Sequence, residues 1–351
     1  MNTSHSPRWL ISAHRASDGL RALVCALACA VAVACGGEEQ RTVVVYTALD
    51  RAFSEPIFED FTAATGIVVK AAYDTESTKT IGLTNRLRAE RRRPRCDVFW
   101  NNEILNTLRL KDEGLLSRSD PAGGELVPAA WKDPDGYWYG FAARARVLLV
   151  NTELLQPDDW PHSLQDLCDP ALRGRVAMAK PLFGTTASHF ACLYVALGAE
   201  GLAEFTDGLL RNEVQIHGGN KGAAVAVSEG RALVALTDTD DAIIEVEAGR
   251  PVAMVSLEGE LGTLFLPNTL CVVAGAPHPV EAGLLMDYLL SAEVEARLAA
   301  GPSAQIPILE GSMASARVKG PGEVKAMVVD FAAAAAAFET VQELLKAAFL
   351  K

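Results

Sequence analysis

From residue 42 onward, short apolar runs alternate with amphipathic stretches. Residues 42–47 (TVVVYT) form a continuous apolar run bounded by threonines, the pattern of a buried strand. Residues 54–64 have helical spacing: Ser54 stands at the cap position, Glu55, Glu59 and Asp60 come early, and Gly66 lies just past the end. Residues 67–73 predict a second strand. Residues 78–90 predict a helix running into Arg91, Arg92 and Arg93, where cations suit the helix dipole. A third strand is predicted at 96–100 (CDVFW), then a helix at 103–113 opened by Asn102 and closed by Gly114. This alternation predicts a mostly parallel α/β sheet.

The second half repeats the theme. Strands are predicted at 147–150, 176–179, 214–217, 233–237, 252–255, 264–266 and 270–273. Helices are predicted at 163–167, 187–197, 202–210, 220–229, 279–290 and 292–299. Residues 323–351 hold six consecutive alanines, with Phe331, Phe338, Val341, Leu345 and Phe349 at helical spacing, and predict an amphipathic helix docked on the body. At 351 residues the chain is long enough for two domains. No long linker separates the two α/β halves, so the chain is expected to cross between them more than once.

The N-terminus breaks the pattern. Arg8, Arg15 and Arg21 precede an uncharged 13-residue run from Ala22 to Ala34, well short of the ~20 residues that span a bilayer. Positive charge, a short apolar core and small residues at the cut are the marks of a secretory signal over residues 1–34, with a membrane anchor as the alternative. Ala32-Val33-Ala34-Cys35-Gly36 resembles a bacterial lipoprotein box. That resemblance implies lipidation at Cys35 and a lipidated tether over 35–41, hence a periplasmic, membrane-anchored lipoprotein; ordinary cleavage and free release is the alternative.

Charge and cysteine then read differently. The chain has 32 basic and 44 acidic residues; losing the signal's three Arg and one Asp leaves 29 and 43, a net −14 in place of −12. Nothing in this supplies the basic footprint that nucleic-acid binding requires. Cys96, Cys168, Cys192 and Cys271 remain in the folded part without CxxC spacing; they allow three disulfide pairings, with buried free thiols as the favoured reading.

The order and spacing of several segments resemble the periplasmic solute-binding proteins of ABC importers, of the extracellular solute-binding protein family 1 type. The segments are Val43–Thr47 with Phe53–Phe61 and Thr65-Gly66-Ile67-Val68-Val69, then Cys96-Asp97-Val98-Phe99-Trp100-Asn101-Asn102-Glu103, Phe141 through Asn151, Gly218-Gly219-Asn220-Lys221-Gly222 and Leu266-Pro267-Asn268-Thr269. Within that family the ferric-iron-binding branch fits best, a branch whose fold also serves phosphonate and sugar-phosphate binders. The resemblance implies a two-lobed periplasmic-binding-protein (type II) α/β fold with a ligand cleft between lobes. Lobe 1 is expected at 42–143 plus 267–351, C-terminal helices included, and lobe 2 at 144–266. It implies no prosthetic group: Fe(III) or another cation is the transported ligand, with or without a companion anion, an inner-membrane ABC permease is the partner, and the protein acts as a monomer.

Candidate ligand residues follow from strand ends and helix starts, where open α/β sheets place ligands. Thr47, Asn102, Glu103, Asn220 and Asp238 occupy such ends. The resemblance implies two adjacent tyrosines after the strand at 233–237; this chain has Thr237-Asp238-Thr239-Asp240-Asp241 instead. Asp238, Asp240 and Asp241 can act as hard oxygen ligands for a cation, and as caps of the following helix. Three like charges at a strand end repel, and either a cation or a nearby Arg relieves that. Glu103 counts with them as a candidate metal ligand or as a dipole partner at its helix start. Arg144 and Arg146 alternate onto one face of the crossover strand and are candidates to grip a buried carboxylate or an anion. Lys221 is a candidate phosphate contact or merely a helix start, and the segment Asp74 through Lys79 is either a cap or an anion-receiving terminus. His189, beside Thr185 and Thr186, reads as structural rather than as a ligand.

A non-enzymatic receptor is therefore expected, capturing a small solute, Fe(III) foremost, with phosphonate or another organophosphate as the alternative. The rival class is a metal-dependent periplasmic hydrolase, against which stand the lack of HExxH, of GxSxG and of an acidic-His cluster at metal-site spacing.

Overall fold

The computed structural model describes residues 1–2, 40–74, 81–312 and 317–350. The predicted signal at 1–34, Cys35 and its tether, and residues 75–79 lie largely or wholly outside the described residues. The fold starts with β1 (Thr42–Thr47) and α1 (Arg51–Thr65). The helix begins one turn earlier than its sequence cap suggests: Ser54 lies inside it, and its hydroxyl donates to the carbonyls of Asp50 (3.1 Å) and Leu49 (3.4 Å). Gly66, at φ 72°, closes the helix in the left-handed conformation that a Cβ disfavours. Next come β2 (Val68–Tyr73), α2 (Ile81–Glu90), β3 (Val98–Asn101), α3 (Leu105–Asp112) and β4 (Leu116–Ser117).

β5 (Tyr139–Asn151) is far longer than its predicted core and is buried along its whole length. After it come β6 (Val176–Ala179), α4 (Gly184–Arg211), β7 (Gln215–His217), α5 (Asn220–Ser228), β8 (Val234–Asp238), α6 (Thr239–Glu247) and β9 (Val252–Ser256). The two helices predicted at 187–197 and 202–210 are one element kinked at Gly198, whose φ 74° and ψ 177° lie outside helical space. The predicted helix at 163–167 is instead a short 3-10 turn at Gln165–Cys168. β10 (Phe265–Val273) joins two predicted strands into one, and α7 (Pro279–Leu289), α8 (Ala292–Ala300) and α9 (Phe331–Phe349) complete the chain. α9 starts eight residues later than predicted, where Asp330 caps it by accepting from the Ala333 N–H at 2.9 Å.

The strands run in the order β2-β1-β3-β10-β5-β8-β6-β7. β1 is parallel to β2 and β3, β6 is parallel to β7 and β8, and β10 is antiparallel to β3 and β5. β5 links two strand systems. Its first half pairs with β10, up to Ala145 opposite Phe265, and its second half pairs with β8 and β9, from Arg146 opposite Asp238 onward. Before the changeover, where the register with β10 shifts between Phe141 and Arg144, Ala142 has φ 43°, a left-handed conformation unusual for a residue with a Cβ. Its N–H donates to Oε1 of the buried Glu295 at 3.0 Å, and its carbonyl accepts from the Asn268 amide. Glu295 also accepts the N–H groups of Ile308 and Leu309, so a buried carboxylate ties the crossover to the segment after α8.

α9 packs on α4 and α3, one helix from each strand system. Its buried face is Ala334, Ala335, Phe338, Val341 and Leu345. Arg109 of α3 stacks over the Phe338 ring at 4.8 Å and pairs with Glu339 at 2.7 Å, and Phe349 meets Phe190 of α4 edge-on. Cys96, Cys192 and Cys271 are buried free thiols as expected; Cys168 is free but half-buried. Among the described residues no helix is long and apolar enough to cross a membrane.

Candidate functional site

The C-terminal ends of β6 and β8 and the starts of α4, α5 and α6 converge on a small cavity. Its polar lining is Asn102, Arg144, Lys180, Thr185, Asn220, Asp238 and Asp241. Gly184, Gly218 and Gly219 bring backbone to its wall, and Phe183 and Ala179 close it. About 20 Å³ is open to water centres, above the ~10–15 Å³ that a single water needs.

Strand alternation predicts that Arg144 and Arg146 share a face of β5, and both reach buried carboxylates. Arg146 Nη1 lies 2.6 Å from Asp238 Oδ1 and 3.2 Å from Asn220 Oδ1; Arg144 Nη1 lies 3.1 Å from Asp240 Oδ2. The other Asp238 oxygen accepts from the Thr185 hydroxyl and from Asn220 Nδ2 at 2.8 Å. Arg146 and Asp238 are register partners across β5 and β8, so the sheet itself sets the pair's spacing. Asp238, Asp240 and Asp241 can each present an oxygen within 4.8 Å of the others. Their mutual repulsion is relieved by two guanidinium groups and by the start of α6, where the helix dipole favours acid.

The helix starts face the cavity without side-chain caps. Phe183, Gly219 and Asp238 hold the N-cap positions of α4, α5 and α6, and none accepts a first-turn N–H with its side chain. First-turn N–H groups there are suited to anionic oxygens. Asn102, at the end of β3, is 1% exposed, and its Oδ1 has no hydrogen-bond partner.

Several candidates sit elsewhere. Glu103 does not line the cavity. It is fully buried, and its carboxylate accepts from the N–H of Leu105 (2.7 Å) and of Asn106 (3.0 Å), from Asn101 Nδ2 (2.9 Å) and from Ser188 Oγ (2.8 Å). Thr47 is buried, accepting the Leu49 N–H at 3.1 Å, and Lys221 is exposed; neither lines the cavity. His189 is fully buried beneath the site with neither ring nitrogen bonded. Burial first, and the Arg146 charge second, hold its pKa well below 6.5.

Lys180 and Phe183 are lining residues that sequence reasoning passes over. Lys180 directly follows β6, and its N–H donates to the His217 carbonyl at 2.9 Å. The strand-end rule that singles out Asn102 and Asp238 would have found it, had it been applied after residue 179.

Comparison with known proteins places this architecture. The profile of the bacterial extracellular solute-binding proteins matches residues 106–335. The iron uptake protein A1 of Synechocystis sp. is 27% identical over 303 residues, covering 82% of this chain and 81% of that protein. A putative 2-aminoethylphosphonate-binding periplasmic protein of Salmonella paratyphi A is 24% identical over 256 residues, covering 71% and 72%. The crystal structure of iron-bound HitA from Pseudomonas aeruginosa superposes with a TM-score of 0.79 at 25% identity, covering 87% of this chain and 99% of that one. The fold is thus the two-lobed α/β periplasmic-binding-protein fold expected from the sequence. With its profile matched over most of its length, the chain belongs to the family of bacterial extracellular solute-binding proteins.

Proposed function

We propose that this protein is the receptor of an ABC import system, binding Fe(III) together with a companion anion between two lobes and delivering it to an inner-membrane permease. The observation that carries this is the acidic cluster of Asp238, Asp240 and Asp241, two of which, Asp238 and Asp241, line one cavity beside uncapped helix starts. It is supported by relatives named for iron uptake and by the iron-bound structural neighbour. Carboxylates are hard oxygen donors, suited to a hard cation. Around the cavity the three aspartates are matched by Arg144, Arg146 and Lys180, so the polypeptide brings no net negative charge to a trivalent ion. An anion accompanying the metal supplies the missing charge, and Lys180 with the starts of α4 and α5 offers it a place. The role is capture, not catalysis.

Lobe 1 comprises residues 42–143 and 267–351 and lobe 2 residues 144–266, joined by the two crossovers of β5 and β10. Residues 1–34 are a secretory signal, and Cys35 is the lipidated start of a tether holding a monomer at the periplasmic face of a membrane.

A second reading, an organophosphonate as cargo, is favoured by the uncapped helix starts and by the aspartates standing where the ferric branch has tyrosines. Melting of the purified protein with Fe(III), Fe(III) plus phosphate, phosphate alone and 2-aminoethylphosphonate separates the two. Iron with phosphate at about 100 times its dissociation constant adds ~2.7 kcal/mol of stability. A shift with aminoethylphosphonate alone, and none with iron, overturns the iron reading.

A further inference from the structure

Glu103 sits at the start of α3, on the strand system of β1 and β3, while Ser188 belongs to α4, which follows β6 on the other. Both are fully buried, and the Ser188 hydroxyl donates to Glu103 Oε2 at 2.8 Å. A serine has one proton to give, and its other acceptor, the Gly184 carbonyl, is farther away at 3.4 Å. The remaining bonds to Glu103 come from Asn101, Leu105 and Asn106, all on its own side. The carboxylate is therefore held in place by one lobe and offers a single acceptor position to the other. Neither residue lines the cavity, but Asn102 and Thr185, their close neighbours in sequence, do.

We propose that Ser188 and Glu103 form a latch between the lobes, which holds the closed arrangement without touching cargo. The proposal rests on the reading above that the lobes open and close. Of the carboxylate's partners, opening removes only Ser188 and leaves the Glu103 cap on α3 intact, so the latch is reversible. A hydrogen bond to a buried carboxylate is among the stronger neutral-to-charged contacts, and its loss lowers the closed population. Apparent affinity falls in proportion to that population. Ser188 is thus a positioning residue, acting on cargo only through closure.

The test compares wild type, Ser188→Ala and Ser188→Thr in the full chain, by X-ray scattering without cargo and by titration with Fe(III) plus phosphate. Ser188→Ala is expected to raise the cargo-free radius of gyration and to weaken binding about tenfold, with unchanged stoichiometry. Ser188→Thr keeps the hydroxyl and is expected to restore both. The latch is overturned if Ser188→Ala leaves scattering and affinity as in wild type, or if the threonine variant is as impaired as the alanine one. Should wild type bind no iron with phosphate, the cargo reading fails, and the cargo-free scattering still decides the latch.

Discussion

Arg146 and Asp238 face each other in register across β5 and β8, and their side chains meet at 2.6 Å with both essentially excluded from solvent. Two charges held this deep are each other's replacement for water. Thr185 and Asn220 satisfy the rest of the carboxylate, while Nε and Nη2 of Arg146 have no hydrogen-bond partner. The arginine therefore depends on Asp238 more than the aspartate depends on it.

Asp238→Leu should destabilise the cargo-free protein by about 3–5 kcal/mol, because it strands a buried guanidinium. The double variant Arg146→Met, Asp238→Leu should recover most of that loss. Urea unfolding monitored by tryptophan fluorescence gives both values; equal destabilisation in the single and double variants contradicts the account.

Asp240 and Asp241 should part company. Asp241 lines the cavity, whereas Asp240 pairs with Arg144 at 3.1 Å. Asp241→Asn is expected to weaken iron binding at least ~10-fold, by loss of a charged ligand. Asp240→Asn is expected to lower the midpoint as well. Calorimetric titration beside denaturation distinguishes them, and identical profiles for the two variants would contradict this division.

His189 makes stability depend on pH in one direction. Its pKa in the fold lies well below 6.5, chiefly through burial, while in the unfolded chain it titrates near 6.5. Between those values the unfolded state holds the extra proton, so stability is full above about pH 6.5 and declines as pH falls toward the folded value. His189→Asn should flatten that decline. Melting temperatures from pH 8 to pH 4.5 provide the check; a variant curve parallel to wild type removes His189 as its source.

Ala142 carries its Cβ at φ 43°, which costs about 1–2 kcal/mol by steric contact with the backbone. Glycine removes that strain but gains about 0.5–1 kcal/mol of unfolded-state entropy. Ala142→Gly should therefore be neutral to stabilising, by up to about 1.5 kcal/mol, at a buried position where most substitutions destabilise. Thermal melts decide it: a clear loss of stability means the backbone there is not strained.

Legibility followed the range of the interactions. Alternation alone puts Arg144 and Arg146 on one face, and like-charge repulsion alone demands a cation or an arginine near Asp238–Asp241; the fold supplies two arginines. What the sequence hides is competition between partners. Glu103 reads equally well as a ligand or as a helix partner, and only the approach of Ser188 and of two backbone amides shows where its oxygens point. Ser54 looks like a cap because serine usually is one, but the turn before it, held by the Asp50 carbonyl, already starts the helix. Lys180 is within reach of the strand-end rule, since it directly follows β6, but only the pairing of β6 with β7 and β8 shows that this strand end opens on the cavity.

α9 joins residues that lie very far apart along the chain: Arg109 and Glu339 are separated by 230 positions. Such contacts form late, because the loop they close must be ordered first. Until α9 arrives, the apolar sides of α3 and α4 that it covers face water. During synthesis the ribosome releases the chain from its N-terminus, so this core stays unsealed until nearly all of it has emerged. On the proposed reading that residues 1–34 direct export, that delay means the last piece of the fold is added only when the rest is already on the far side of the membrane.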